Sequence, residues 1–138
     1  MDAKVMEAFE SWRANVTEED LVKELGELAK PEVEDKLYDA FYRSLAFGTA
    51  GLRGTIGVGT NRMNVYVVAQ ATQGVANYLN AHYDNPTVAL ARDSRLKGED
   101  FQKVAAGVLA ANGIRVYVYP RIEPVPTLSF AVRYLKTS

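Results

Sequence analysis

The order strand, helix, strand in the C-terminal half constrains the fold of this chain more than any other feature. Residues 87–91 are almost wholly apolar, which is typical of a strand covered on both faces. Residues 99–112 carry apolar side chains at helical spacing, Gly113 predicts the end of that helix, and residues 114–119 are rich in β-branched and aromatic side chains. Two strands and a helix within about 33 residues predict a βαβ unit with parallel strands and a right-handed crossover.

The N-terminal third predicts helices. Apolar residues recur there at spacings of three and four, giving three stripes that begin near Val5, Leu21 and Val33. Thr17 is expected to cap the second helix with its hydroxyl, and Pro31 is expected to start the third. We interpret the many acidic side chains of this segment as a solvated surface, because paired catalytic carboxylates would need a buried cleft.

The fold class that follows is α/β. We expect a three-layer α/β/α domain with a mixed, mostly parallel sheet over residues 46–138, preceded by a helical N-terminal arm over residues 1–45 that packs on it. Residues 61–64 are expected to cap a further helix that runs to about residue 83. A proline-containing loop and a last helix, capped by Thr127, are expected after residue 119.

The charge is distributed unevenly along the chain. Residues 1–40 carry twelve acidic and five basic side chains, whereas residues 41–138 carry five acidic and eleven basic ones, eight of them arginine. Scattered arginines suit an anionic small molecule better than a nucleic acid, which would favour a clustered, lysine-rich stripe. A second interpretation of this charge distribution is that an acidic N-terminal arm complements a basic body.

Composition excludes several kinds of site and partner. The chain has no cysteine, so disulfides, thiolate metal sites and a cysteine nucleophile are excluded, and a reducing, cytoplasmic location is expected. No apolar run approaches the roughly 18 to 20 residues of a membrane span, and the N-terminus lacks the apolar segment of a signal peptide. We therefore expect neither a membrane nor a nucleic acid as a partner.

Residues 47–59, here called the glycine segment, are the candidate binding segment. They contain five glycines around one arginine, Arg53. Glycine lets backbone amides approach a ligand closely, and amides beside a forked guanidinium make a good phosphate receptor. Plain turns between strands would explain the glycines equally well. On glycine density alone the two interpretations have equal weight.

Other motifs are absent or weak. No Gly-Lys-Ser/Thr of a Walker loop occurs, and the dinucleotide fingerprint that begins at Gly57 has Arg62 in place of its third glycine. The single histidine, His82, is expected on the surface. The acidic residues show no spacing typical of metal ligands, so we predict no metal site in this chain. The sequence alone predicts a phosphate receptor without a nucleophile, a base or a metal.

Residues 47–54 and 57–64 closely resemble the start of the α-D-phosphohexomutases, most of all their phosphoglucomutase and phosphopentomutase branch. The resemblance continues through the triplet at 93–95 and through residues 124–132, and so covers nearly the whole chain. It implies an N-terminal domain I. In that family the loop with the phosphorylated catalytic serine should follow within about ten residues of the point where this chain stops, so we expect no catalytic residue here and an inactive fragment.

The resemblance implies an intramolecular phosphotransferase that interconverts sugar 1- and 6-phosphates, or pentose 1- and 5-phosphates, through a phosphoserine and a bisphosphate. It implies Mg²⁺, held by residues outside this chain, a sugar 1,6-bisphosphate activator, a sugar-phosphate substrate and the remaining domains of a longer chain as partners. The phosphate-binding residues that it implies are Arg53, Thr49, Ala50 and Gly51. Loop support is expected from Asp93, Ser94 and Arg95, with Asp93 acting as a brace rather than a ligand contact.

Two alternatives remain beside this interpretation. One is a stand-alone phosphate- or nucleotide-binding α/β module, which tight dinucleotide binding would support. The other is a structural or interaction domain in which the glycines only make turns.

Overall fold

The computed structural model describes residues 2–45, 47–48, 51–52, 54–92 and 98–119. The chain divides into two compact units, Met1–Val67 and Val68–Ser138. The helices of the described residues are α1 (Ala3–Asn15), α2 (Glu19–Leu28), a short 3₁₀ helix (Pro31–Val33), α3 (Glu34–Phe41), α4 (Val65–His82) and α5 (Gly98–Ala111). The strands are β1 (Phe47–Gly48), β2 (Gly51–Leu52), β3 (Thr87–Leu90) and β4 (Arg115–Val118).

The first unit is built around the three predicted apolar stripes. Helices α1, α2 and α3 bury them in one cluster, which Val58 of the glycine segment also enters. Trp12 meets Phe41 and Tyr66 edge to face, with ring centroids 5.6 and 5.5 Å apart. The buried members of the cluster are Val5, Phe9, Val16, Leu21, Leu25, Leu37, Ala40, Phe41 and Val58.

The start of α2 differs from the prediction. The N-cap residue is Glu18, and its side chain makes no capping hydrogen bond, so the hydroxyl cap expected from Thr17 is wrong. The backbone N–H of Thr17 instead donates to the hydroxyl of Tyr66 over 3.2 Å, and that hydroxyl donates to the Glu18 carboxylate. A residue 49 positions further on therefore fixes the connection between α1 and α2. The start predicted at Pro31 is confirmed, as a 3₁₀ turn that leads into α3.

The second unit confirms the predicted order of strand, helix and strand and the parallel pairing of the two strands. Strands β3 and β4 pair in parallel, Thr87 opposite Arg115 and Leu90 opposite Val118, with α5 as the connection between them. Helix α5 ends at Ala111, and Gly113, two residues further on, has a φ of +77° that favours glycine, as predicted for the end of this helix. The core of this unit consists of Ala76, Leu79, Leu109 and Ile114, with Val88, Leu90 and Val116 packed against it. The α/β class is confirmed.

Amide side chains connect α4 to the end of α5 within the second unit. Gln73 and Asn112 exchange two hydrogen bonds through their amide groups, of 3.0 and 2.9 Å, and Asn80 donates to the Asn112 carbonyl. The Asn112 amide also donates to the carbonyl of Val108. These bonds satisfy polar groups that a helix end leaves without partners.

Within the described part of the chain, no helix is both long enough and apolar enough to cross a membrane. The helix expected after Thr127 lies outside the described residues.

Candidate functional site

A short antiparallel hairpin opens the glycine segment. Phe47 pairs with Leu52 and Gly48 with Gly51, so β1 and β2 face each other in register. Of the predicted phosphate-binding residues, Gly51 belongs to β2, whereas Thr49, Ala50 and Arg53 lie outside the described residues. The backbone on either side of Thr49 and Ala50 thus forms a hairpin, and their predicted role stays a prediction.

Residues 54–64, here called the base loop, follow the hairpin and close on themselves. The N–H of Met63 donates to the Thr55 carbonyl over 2.8 Å, and the N–H of Gly57 donates to the Met63 carbonyl over 3.1 Å. Ile56 and Met63 form an isolated β-bridge. Hydrogen bonds between its two ends give this loop a defined shape.

Asn64 connects the base loop to α4. Its side-chain oxygen accepts the N–H of Val67 over 3.0 Å, which is the N-cap contact expected for this residue. Its side-chain nitrogen donates to the carbonyls of Gly57 and Gly59 over 2.9 and 3.0 Å. The side chain is buried, and the structure satisfies both of its polar atoms. The helix start predicted for residues 61–64 is confirmed.

The chain that enters the hairpin is held by the same loop. The N–H of Leu45 donates to the Thr60 carbonyl over 3.0 Å, and the Thr60 hydroxyl donates to the Arg43 carbonyl over 2.7 Å. At the exit, a Cβ atom on Gly54 would lie 2.7 Å from the Leu45 side chain, so the two segments are in close contact. Both flanks of the hairpin are therefore attached to the base loop.

The base loop packs directly on the end of α3. The N–H of Asn61 donates to the Ala40 carbonyl over 2.9 Å, and the Asn61 amide donates to the Asp39 carbonyl over 2.9 Å. Gly59 has a φ of +127°, and a Cβ atom there would lie 2.4 Å from the Ala40 oxygen. Only glycine fits this position, both because of its dihedral angle and because of the space.

A carboxylate of α2 binds the middle of the base loop. Glu24 Oε1 accepts the N–H of Val58 over 3.1 Å, and a Cβ atom on Gly57 would lie 2.9 Å from the same oxygen. Val58 is only 1% exposed. The interpretation of the arm's acids as a solvated surface is therefore wrong for Glu24, whose partner lies 34 positions away. Glu18 is exposed, as predicted, although its carboxylate also accepts the hydroxyl of Tyr66.

Arg62 is engaged in the same packing. Its guanidinium donates to the Asp39 carboxylate over 2.5 Å and to the carbonyls of Asp39 and Asn61 over 3.3 and 3.0 Å. Its side chain is only 18% exposed, while that of Asp39 is 60% exposed. A guanidinium committed to these oxygens has little capacity left for a ligand.

These contacts divide the glycine segment into two parts. Gly57, Val58 and Gly59 pack on α2 and α3, and the amide of Val58 already has an anionic partner, so this part serves structure. The dinucleotide fingerprint that begins at Gly57 would need this backbone for a pyrophosphate, and it is rejected on that ground. Only the hairpin side, residues 47–54, remains as a candidate phosphate receptor.

The second predicted group follows β3. Asp93, Ser94 and Arg95 lie outside the described residues, and Arg92, just before them, is half-buried. His82 is exposed, as predicted, with its ring 4.3 Å from that of Tyr78. Among the residues that the structure describes, no three His, Cys, Asp or Glu side chains come together as metal ligands would.

The comparisons with known proteins agree with one another. Residues 44–138 match the family model described as phosphoglucomutase/phosphomannomutase, alpha/beta/alpha domain I. The phosphoglucomutase of Staphylococcus haemolyticus (strain JCSC1435) is 43% identical over 98 residues, which is 71% of this chain and 18% of the relative. The phosphoglucomutase of Staphylococcus saprophyticus (strain ATCC 15305) is 37% identical over 127 residues, which is 92% of this chain and 22% of the relative.

The chain spans about a fifth of the length of these curated relatives. No solved structure matches the chain significantly. The region matched by the family model begins just before the hairpin and includes the base loop, α4 and the βαβ unit.

Proposed function

The chain belongs to the phosphoglucomutase/phosphomannomutase family as its alpha/beta/alpha domain I, and from this premise we propose that it supplies part of the phosphate-binding wall of a sugar-phosphate mutase. The match over residues 44–138 carries this proposal, because it includes the whole glycine segment. The reaction proposed for the longer protein interconverts sugar 1- and 6-phosphates, or pentose 1- and 5-phosphates.

In this reaction a phosphoserine donates its phosphoryl group to a sugar monophosphate, and a bisphosphate forms. The bisphosphate turns around and returns its other phosphoryl group to the serine. Charge develops on the equatorial phosphoryl oxygens during each transfer, so positioned cations and amides stabilise the transition state. We place the serine and the Mg²⁺ ligands outside this chain, as the resemblance implies, and assign no described residue to a metal.

The part assigned to this chain is charge stabilisation. Arg53 would hold two phosphoryl oxygens with its fork of donors and keep its charge at any working pH. Thr49 and the backbone of Ala50 and Gly51 would add further donors. The hairpin supports this proposal, since it brings the segment before Thr49 and the segment after Ala50 side by side. Asp93, Ser94 and Arg95 are proposed to support the site from the loop after β3.

Titration of the ¹⁵N-labelled chain with glucose 1,6-bisphosphate tests the proposal. We expect weak binding, in the millimolar range because most of the site is elsewhere, with the largest amide shifts in residues 48–54. Arg53→Ala should abolish these shifts. Arg13→Ala, which removes an exposed guanidinium paired with Glu10 on α1, should leave them unchanged.

Two results would contradict the proposal. One is bisphosphate binding that Arg53→Ala leaves unchanged. The other is a dinucleotide that binds more tightly than the bisphosphate, which would support the stand-alone nucleotide-binding module instead.

A further inference from the structure

The contact between Glu24 and the base loop joins two parts of the chain that differ in their proposed roles. Helix α2 lies outside the region that the family model matches, whereas Val58 lies inside it. The Glu24 carboxylate is half-buried and binds a backbone N–H of a residue that is almost completely buried. A hydrogen bond from an amide to a charged oxygen in such surroundings is stronger than one between neutral groups.

Both flanks of the candidate hairpin are connected to the base loop. Leu45 on the entry side bonds to Thr60, and on the exit side the base loop begins at Gly54, two residues after the end of β2. A displacement of residues 57–59 therefore changes the positions of both flanks.

We propose that Glu24 is a positioning residue for the proposed phosphate site: its carboxylate, bound to the amide of Val58, fixes the base loop and through it the paired strands β1 and β2. The inference rests on the proposed function for the identity of the ligand. The same carboxylate occupies an amide that a phosphate could otherwise approach. It thereby confines anion binding to the hairpin side of the glycine segment.

The first test compares Glu24→Ala and Glu24→Gln with a control on the same helix, Glu27→Ala. The Glu27 carboxylate is exposed and pairs with Lys30, and the hydrogen bond from Lys30 lowers the pKa of Glu27, so the control removes an ionised carboxylate that does not touch the base loop. The readouts are amide hydrogen exchange and the Kd for glucose 1,6-bisphosphate. Exchange is followed at Val58, in β1 and β2, and in α1 and α3.

We expect Glu24→Ala to speed exchange at Val58 and in the hairpin by about tenfold, with α1 and α3 changed much less. The bisphosphate Kd should rise at least about fivefold. Glu24→Gln keeps an acceptor oxygen at the same reach and should restore most of the protection of the hairpin. Glu27→Ala should leave both readouts at the wild-type values.

A second variant approaches the same contact from the loop. Gly57→Ala places a methyl group 2.9 Å from Glu24 Oε1, so the carboxylate has to move away. Gly57→Ala is expected to reproduce the effect of Glu24→Ala. The double variant should be close to either single one, because a contact already lost cannot be lost twice. Fully additive effects would overturn the proposed contact.

The possible outcomes separate this inference from the proposed function. Equal acceleration of exchange across α1, α3 and the hairpin would assign Glu24 a general stabilising role and overturn the inference. Unchanged hairpin exchange, or a Glu24→Gln variant that behaves as Glu24→Ala, would overturn it as well. Selective loss of hairpin protection in Glu24→Ala would support the positioning role. If the wild-type chain bound no bisphosphate in the same experiment, the phosphate ligand would be rejected while the positioning role would stand.

Discussion

Gly59 is the position at which a single methyl group should do the most damage. Gly59→Ala combines a φ that other residues rarely adopt with an overlap against the Ala40 carbonyl, and we expect a loss of about 3 kcal/mol in the free energy of unfolding. Urea unfolding followed by the fluorescence of Trp12, the one tryptophan of the sequence, reports on this unit.

The matched control for this substitution is Gly26→Ala. Gly26 is exposed within α2, and a Cβ atom there would meet nothing within 4 Å. Alanine should therefore raise the stability by about 0.5 to 1 kcal/mol. Equal effects of the two substitutions would contradict the packing described for Gly59.

At position 64 the usual equivalence of Asn and Asp as helix N-caps should not hold. Asn64→Ala removes the cap of α4 and the donors for two buried carbonyls, and should cost about 2 to 3 kcal/mol. Asp is normally as good a cap as Asn, but here Asn64→Asp would direct a carboxylate at the carbonyls of Gly57 and Gly59. We expect it to be no better than Ala in the same unfolding measurement. Wild-type stability for Asn64→Asp would contradict the assigned direction of these bonds.

Arg53 is the residue on which the proposed chemistry depends. Joined to the remaining domains in an active mutase, Arg53→Lys should lower turnover at least tenfold, equivalent to about 1.4 kcal/mol in the activation free energy. Lysine keeps the charge but cannot hold two oxygens in a fixed fork. Steady-state kinetics measure the effect, and near-normal turnover would remove Arg53 from the site.

At the scale of elements, the arm α1–α3 is part of the compact unit that contains the base loop. A chain that begins at residue 44 would lack the Ala40 carbonyl, Asp39 and Glu24, and would expose Val58 to water. We expect its amides in residues 54–64 to lose exchange protection and the thermal midpoint to fall by at least about 10 °C. An unchanged midpoint would show that the arm contributes nothing to the loop.

The helices and the βαβ unit could be predicted from sequence because their signals are local and periodic. The predicted helix at 99–112 differs by one residue at each end from the observed α5 (Gly98–Ala111). The cap of α2 could not be predicted, because Tyr66, 49 positions away, binds the Thr17 N–H and the Glu18 carboxylate. Local patterns carry no information about such contacts.

The candidate site was predictable only in part, because some of its contacts join residues that are far apart in the sequence. Five glycines in thirteen residues indicated a special backbone, and the hairpin and the tightly packed Gly59 agree with that. The separation of the segment into a hairpin and a structural loop depends on Glu24 and Asp39, which belong to acidic helix surfaces in the sequence pattern. The roles of Thr49, Ala50, Arg53 and residues 93–95 remain predictions.

At the scale of the whole molecule, the chain matches about a fifth of each relative's length. The proposal places most of the catalytic site in the rest of the longer protein. We expect the purified chain to show no mutase turnover with Mg²⁺ and glucose 1,6-bisphosphate present, since the proposed phosphoserine lies elsewhere. A coupled assay of glucose 6-phosphate formation measures this. Sustained turnover, unaffected by repurification, would reject the division of the site proposed here.

The close approach of Glu24 to Gly57 also has a consequence for the history of the sequence. A methyl group at position 57 and a carboxylate at position 24 compete for the same few ångströms. Substitutions at the two positions should therefore be correlated across relatives, and a lineage that acquires alanine at 57 should tolerate the loss of the glutamate. The arm and the glycine segment would then evolve as one unit, although the family model begins between them.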